Sequence, residues 1–493
     1  MSPSQSAPSC SQVPTFHSLG VRPLINCRGT YTIISGSRAL PEVVEAMCLA
    51  TDHHVHMDEL NEAVGERLHV LTGAEWGYVA NGCAAALCEL TCAAMAGGDP
   101  ERMVRLPDNA GMPKHVIMQR GHRNDYDRAV RLAGADIIEF ETLAQLRACF
   151  SPLTALVLVT GNRAHLGAVS VAEMIAEARA HGVISVVDAA AERPDLPNIY
   201  LQLGADAVVY SGGKCLRGPQ ASGLVLGNKA LLQTALLNSA PHHGLARPMK
   251  AGKEEIMGLL AAIEAWVAGR DHTAEWHAWE SWLAEIAAAL SDLPTLTTAL
   301  EQPGVANVAP MLAIRWNAGA LASPAAVERA LWEGEPRIAL HRRPDGLAVM
   351  PYMMEPGDAA IAAVRLREVL STLQPAAERV PEAPHIDCSG SWQLQINYVR
   401  GEGRYALALD QAGSSLQGTL TSVYATVPVN GTVEGSEVHF SARLGYQASQ
   451  VTYCFKGRLE RGELAGSVAL GEYGTAVWRA VRGEAVALET AES

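Results

Sequence analysis

Hydrophobic positions change their spacing along this chain, and the changes divide it. Short apolar or β-branched runs at residues 76–80, 115–119, 135–140, 153–160, 183–188 and 206–211 alternate with helical patterns such as 171–181. Strands separated by helices predict a mostly parallel sheet covered on both faces. Residues 41–50, with Pro41 at the first turn, and 53–71 precede that region as helices. From Lys250 the helical period dominates, over 253–268, 273–290, 324–332 and 357–372, with strands expected at 313–316 and 347–350. That texture predicts a smaller α+β domain. Beyond a proline-rich stretch at 375–384, residues 392–398, 405–409, 438–442, 451–455 and 477–479 alternate with period two, predicting an antiparallel barrel or sandwich. A recurring glycine phrase at Gly418, Gly431 and Gly466 is expected near its turns. The resulting organisation is a flexible N-terminus (1–18), a large α/β domain (19–249), a small α+β domain (250–373), a linker (374–384), an all-β domain (385–483) and a tail (484–493).

Composition narrows the class. A chain of 493 residues, 48% hydrophobic and 18% charged, is expected to be a soluble multidomain enzyme. Its formal charge of −14, from 38 Lys+Arg against 52 Asp+Glu, argues against a nucleic-acid surface. Ten cysteines without a CxxC pair predict free thiols in a reducing cytoplasm. The Ser- and Pro-rich first sixteen residues lack the plan of a signal peptide. The small-apolar stretch 83–97 is broken by Glu89 and is too short to span a bilayer, so no membrane partner is expected. His53, His54 and His56 match no common zinc spacing, and no metal is expected.

Two strand-like runs each end in one ionisable residue, Asp188 and Lys214, in otherwise apolar surroundings. An amine beside buried strand ends can act as a nucleophile and form a Schiff base with an aldehyde. Such a lysine most often partners pyridoxal 5'-phosphate, whose ring nitrogen a carboxylate keeps protonated. Asp188 and Lys214 suit those two roles; the competing assignments are a helix cap and a surface turn. The turn Asn81-Gly82-Cys83-Ala84 opens a helix after a strand, where free N–H groups favour a phosphate.

Residues 19–26 with Gly29-Thr30, residues 81–86, Arg120-Gly121-His122, residues 187–192, Ser211-Gly212-Gly213-Lys214 through Gln220, and 247–254 resemble a known group. They are similar to the pyridoxal-phosphate proteins related to bacterial L-seryl-tRNA selenium transferase, and more so to the D-glucosaminate-6-phosphate ammonia-lyase branch. The resemblance covers roughly residues 19–373. It implies the aspartate-aminotransferase type of fold (fold type I), with a site shared between two subunits of a homodimer or higher homo-oligomer. It makes Lys214 the Schiff-base lysine and Asp188 the partner of the pyridinium nitrogen. Gly82, Cys83, Ala84 and Ser211 would surround the phosphate, and His122 would stack on the ring, a core or surface histidine being the alternative. Cys27-Arg28 departs from the small residues of that pattern; Arg28 would meet a substrate carboxylate, or it is a surface residue. Arg247, Lys250 and Lys253 would bind a substrate phosphate, or they are a charge cluster at a helix start. Nothing resembles the tRNA-binding arm of the selenium transferase.

The expected reaction is α-proton abstraction and α,β-elimination from a small-molecule substrate, an amino acid or amino-sugar acid, giving a 2-oxo acid and ammonia. The competitors are racemisation, with His122 or Tyr126 as a second acid/base group, and a non-catalytic scaffold carrying a β-type binding module.

Overall fold

Two compact units divide the chain, Met1–Ala376 and Ala377–Ser493. The computed structural model describes residues 13–304, 308–317, 319, 321–373 and 382–483. Most of the expected flexible N-terminus and linker, and the whole tail, lie outside the described residues.

The first unit is built on strands β1 (Trp76–Ala80), β2 (His115–Gln119), β3 (Asp136–Phe140), β4 (Thr154–Thr160), β5 (Ile184–Asp188), β6 (Ala207–Ser211) and β7 (Gly223–Gly227). They form one sheet in the order β1-β7-β6-β5-β4-β2-β3. All neighbours are parallel except β7, which runs antiparallel between β1 and β6. The sequence reading does not contain β7: glycines bracket its three apolar residues, so the segment reads as a turn. Side chains alternate between two cores. Val157, Val159, Val187 and Val208 face one of them, and Leu156, Leu158, Val186 and Val209 face the other. Burial on both faces is why these strands read as unbroken apolar runs. Helix α1 (Cys83–Ala96) is buried along most of its length; a helix apolar all round belongs inside a protein as readily as in a bilayer. No helix among the described residues is long and apolar enough to cross a membrane.

A second, four-stranded antiparallel sheet, β8 (Leu296–Glu301), β9 (Met311–Trp316), β10 (His341–Arg343) and β11 (Gly346–Val349), has the order β10-β11-β9-β8. Helices α3 (His272–Leu290), α4 (Pro324–Glu333) and α5 (Asp358–Thr372) share its core. The boundary between the two cores differs from the sequence reading at 249/250. Helix α2 (Lys253–Glu264) packs Ile256, Leu259, Ala262 and Ile263 with the large sheet. Cys27 near the N-terminus belongs instead to the small core, because Leu24–Asn26 pairs in parallel with Arg337–Ala339. The helix expected over 53–71 is Met57–Thr72; His53 and His54 lie in the exposed connection before it, and His56 is its N-cap.

The second unit is a closed barrel of β12 (Gly390–Asn397), β13 (Glu402–Ala412), β14 (Ser415–Thr421), β15 (Thr426–Glu434), β16 (Glu437–Tyr446), β17 (Ser449–Glu460), β18 (Glu463–Ala469) and β19 (Thr475–Arg482). Gly418, Gly431 and Gly466 sit inside strands, not at turns. A Cβ there would stand 1.9–2.1 Å from the carbonyl oxygens of Ala408, His439 and Lys456 on neighbouring strands. The repeated glycine permits close strand approach in a tightly coiled small barrel.

Candidate active site

The site is assembled by register. Ala80 at the end of β1 pairs with Gly223, which pairs with Ser211 at the end of β6. Asp188 at the end of β5 pairs with Thr160 on one side and Val209 on the other. The carboxyl ends of β1, β4, β5 and β6 therefore gather along one edge of the sheet, where doubly wound folds bind ligands.

Asp188 is buried there. Its Oδ1 accepts from the N–H of Ala190 (3.0 Å) and from the Cys83 thiol (3.5 Å). Burial raises its carboxyl above the usual range, while the Ala190 N–H and the Lys214 ammonium pull it down. The Cys83 thiol is pushed well up by burial and by the Asp188 charge, so it stays a donor. Lys214 is half-buried and, with Asp188, lines a cavity of about 180 Å³. An open groove of about 900 Å³ on the barrel is larger; in its lining Lys456 and Arg458 both pair with Glu437.

The first turn of α1 faces this cluster. Gly82 precedes it at φ +84°, and the first N–H bonded within the helix is that of Ala86, onto the Gly82 carbonyl (3.2 Å). The N–H groups of Cys83 and Ala84 come before it, at the end of a helix where free N–H groups favour an anion. Gly223 packs directly against the turn: a Cβ on it would lie 2.6 Å from the Gly82 carbonyl carbon and 2.9 Å from the Cys83 nitrogen. Ser211 is half-buried beside Gly223. Asn81 Nδ2 donates to the Lys250 carbonyl (3.1 Å), which brings the 247–253 segment beside the turn. Lys253 itself is engaged with the Ala50 carbonyl and Glu254.

Two expected residues stand apart. His122 is fully buried and is not among the residues that line the cavity. Its Nδ1 accepts from the Thr160 N–H (3.2 Å), and its Nε2 lies 3.2 Å from the Gln119 amide. Burial, with Arg163 and His165 nearby, lowers its pKa to about 4, so it is neutral at physiological pH. Arg28 stacks over the Tyr31 ring (4.8 Å) in the turn held by Asn26 Oδ1 and does not line the cavity.

The remaining cavity wall is Asn124, Asp125, Tyr126, Thr160, Asn162, Arg163, Ala190 and Ala191. Apart from Tyr126 these side chains escape the sequence reading. Asn162 and Arg163 follow β4 immediately, so the strand-end rule that points to Asp188 and Lys214 finds them too. Arg163 has no ion-pair partner among the described residues.

These groups fit pyridoxal phosphate. A buried carboxylate whose burial calls for a cationic neighbour would hold the ring nitrogen. The Lys214 amine would meet the aldehyde, and the free N–H groups at the start of α1 would hold the phosphate.

The aminotransferase class-V family model matches residues 128–276. D-glucosaminate-6-phosphate ammonia lyase of Salmonella typhimurium (strain 14028s / SGSC 2262) is 33% identical over 371 residues, 72% of this chain and 97% of that protein. The 5'-C-glycyluridine monooxygenase-decarboxylase of Streptomyces sp is 32% identical over 305 residues, 59% of this chain and 75% of that protein. A solved structure of D-glucosaminate-6-phosphate ammonia-lyase superposes with a TM-score of 0.65 at 31% identity, covering 73% of this chain and 100% of the other. Register, site chemistry and these likenesses agree: the chain belongs to the pyridoxal-phosphate-dependent, fold type I family of D-glucosaminate-6-phosphate ammonia-lyase, and it is an ammonia-lyase-like enzyme.

Proposed function

We propose that the enzyme removes the α-proton of an amino acid or amino-sugar acid and eliminates its β-substituent, giving a 2-oxo acid and ammonia. The observation that carries the proposal is one cavity lined by Lys214, Asp188 and Arg163. Pyridoxal phosphate supplies an aldehyde for an amine and a protonated ring that takes up the electron pair left by the departing α-proton. Lys214 Nζ moves that proton from Cα and, as an ammonium, is placed to protonate the leaving group at Cβ. Asp188, aimed by the Ala190 N–H and the Cys83 thiol, holds positive charge at the ring nitrogen. Gly82, Cys83, Ala84 and Ser211 hold the phosphate. Arg163 receives an anionic group of the substrate, as guanidinium forks do. His122 acts from behind: it accepts the Thr160 N–H and steadies the end of β4. Arg247, half-buried on the segment beside the phosphate turn, is available to a second anionic group. The working form is a homodimer or higher homo-oligomer.

Racemisation is the second reading, because Tyr126 lines the same cavity and offers a second acid/base group. The test is incubation with D- and L-amino acids and amino-sugar acids in deuterated buffer, with Lys214→Ala as the control. Release of 2-oxo acid, lost in the control, establishes elimination. Deuterium at Cα with mixed chirality and no oxo acid replaces it with racemisation.

A further inference from the structure

The two ends of the barrel differ in kind. At one end the connections β13–β14, β15–β16 and β17–β18 are two-residue turns, Gly413-Ser414, Gly435-Ser436 and Arg461-Gly462. At the other end three connections are longer, residues 398–401, 422–425 and 470–474, and the fourth is the two-residue Gln447-Ala448; Val399, Tyr424 and Tyr473 on those three, and Tyr446 at the end of β16, are presented to solvent. Val399 is fully exposed, Tyr424 86%, Tyr446 71% and Tyr473 61%. In an up-and-down barrel alternate connections share an end, so these four side chains form one rim. Inside the rim lie Tyr398, Tyr405 and Tyr453, packed on the barrel core. The Tyr398 and Tyr405 hydroxyls are 2.6 Å apart, and both interact with the Tyr453 hydroxyl. Trp392, Phe440, Phe455 and Trp478 fill the interior below, so a ligand stays at the mouth.

We propose that this mouth binds a neutral oligosaccharide, with the rim tyrosines stacking on the apolar faces of sugar rings and the inner hydroxyls bonding to sugar hydroxyls. Chemistry selects the ligand. Tyrosine offers a rigid ring with a polar tip, which suits a partner that is itself apolar on its faces and hydroxylated at its edge. The four connections carry one arginine, Arg400, and one acid, Glu472. That pair gives no cationic field for nucleic acid or anionic lipid.

Area argues in the same direction. Eight strands ~4.8 Å apart close into a ring ~15 Å across, so one end with its loop side chains offers roughly 300 Å². A stable protein interface takes about 800 Å² from each partner. The mouth is too small for a protein partner by itself and is on the scale of two or three sugar rings. This site is independent of the lyase chemistry in the first unit.

The test uses the full cofactor-loaded protein and titration calorimetry with cellohexaose, chitohexaose and maltohexaose at millimolar concentration. Binding of at least one is expected, with loss of detectable binding in the combined variant Tyr424→Ala, Tyr446→Ala and Tyr473→Ala. Arg461→Ala at the opposite end should bind like the wild type, and lyase turnover should be unchanged in both. All three tyrosines are exposed, so folding is checked by an unchanged circular dichroism melt. Three results overturn the proposal: no binding of any of these sugars, binding that survives the triple variant, or a change of oligomeric state in that variant, which makes the mouth a contact with a second copy.

Discussion

Gly223→Ala tests whether the phosphate turn is held by the strand beside it. The added methyl would lie 2.6 Å from the Gly82 carbonyl carbon and 2.9 Å from both the Gly82 oxygen and the Cys83 nitrogen, all of them backbone. Ordinary contact begins at 3.4 Å, so the start of α1 or the strand β7 must yield by most of an ångström. Neither is free to do so cheaply: β7 is fully buried and paired on both sides, and α1 is buried. Overpacking of this kind costs ~1–3 kcal/mol. If the turn yields, the N–H groups of Cys83 and Ala84 leave the position that holds the phosphate, and the same strain reads as a ~5- to 150-fold weaker cofactor. Equilibrium dialysis of pyridoxal phosphate against the apo-protein measures that loss, and urea unfolding of the apo-protein measures the share taken by the fold. Gly98→Ala is the control, since a Cβ there meets nothing within 4 Å. A Gly223→Ala protein that binds the cofactor like the control refutes the role given to the turn, whatever its stability.

Asp188→Asn keeps two hydrogen-bond positions but loses the charge, so it should retain most cofactor and lose on the order of 10²–10³ in kcat, the usual scale for removing one stabilising group; wild-type turnover would show that its role is misassigned. Glu89, buried and bonded to the Tyr78 hydroxyl (2.8 Å) and Ser239 Oγ (2.6 Å), has its carboxyl raised by burial to about 7. Its folded value lies above its unfolded one, so its contribution to stability is fully present below about pH 4.5 and is lost as pH rises towards 7. Glu89→Gln removes that dependence. In urea unfolding, the stability of this variant relative to wild type should rise by ~1.4 kcal/mol per pH unit across that window, and a pH-independent difference would contradict the assignment.

What the sequence makes legible here follows from what is local. Asp188 stands out because it ends an apolar strand and Lys214 because it lies just beyond another, and the period of two and the buried faces belong to the strands themselves. The phosphate turn is legible for the same reason, as a glycine between a strand and a helix. Register is not local. Nothing in residues 221–227 announces a strand, yet β7 joins Ala80 to Ser211 through Gly223 and so sets the phosphate turn beside β6. Asn162 and Arg163 lie just beyond β4, within reach of the strand-end rule, but that they share a cavity with Asp188 comes from β4 lying next to β5 in the sheet. His122 shows the opposite limit: the motif that contains it is local, but its ring nitrogens are held by the Gln119 amide and by the N–H of Thr160, which is 38 residues further along the chain. The barrel glycines carry the same lesson. A glycine reads as a turn when only its own neighbours are seen, and as a close approach once the strand across from it is known. Pairing therefore decides which locally visible groups become a site, and Gly223 is where the pairing and the chemistry can be tested by one methyl group.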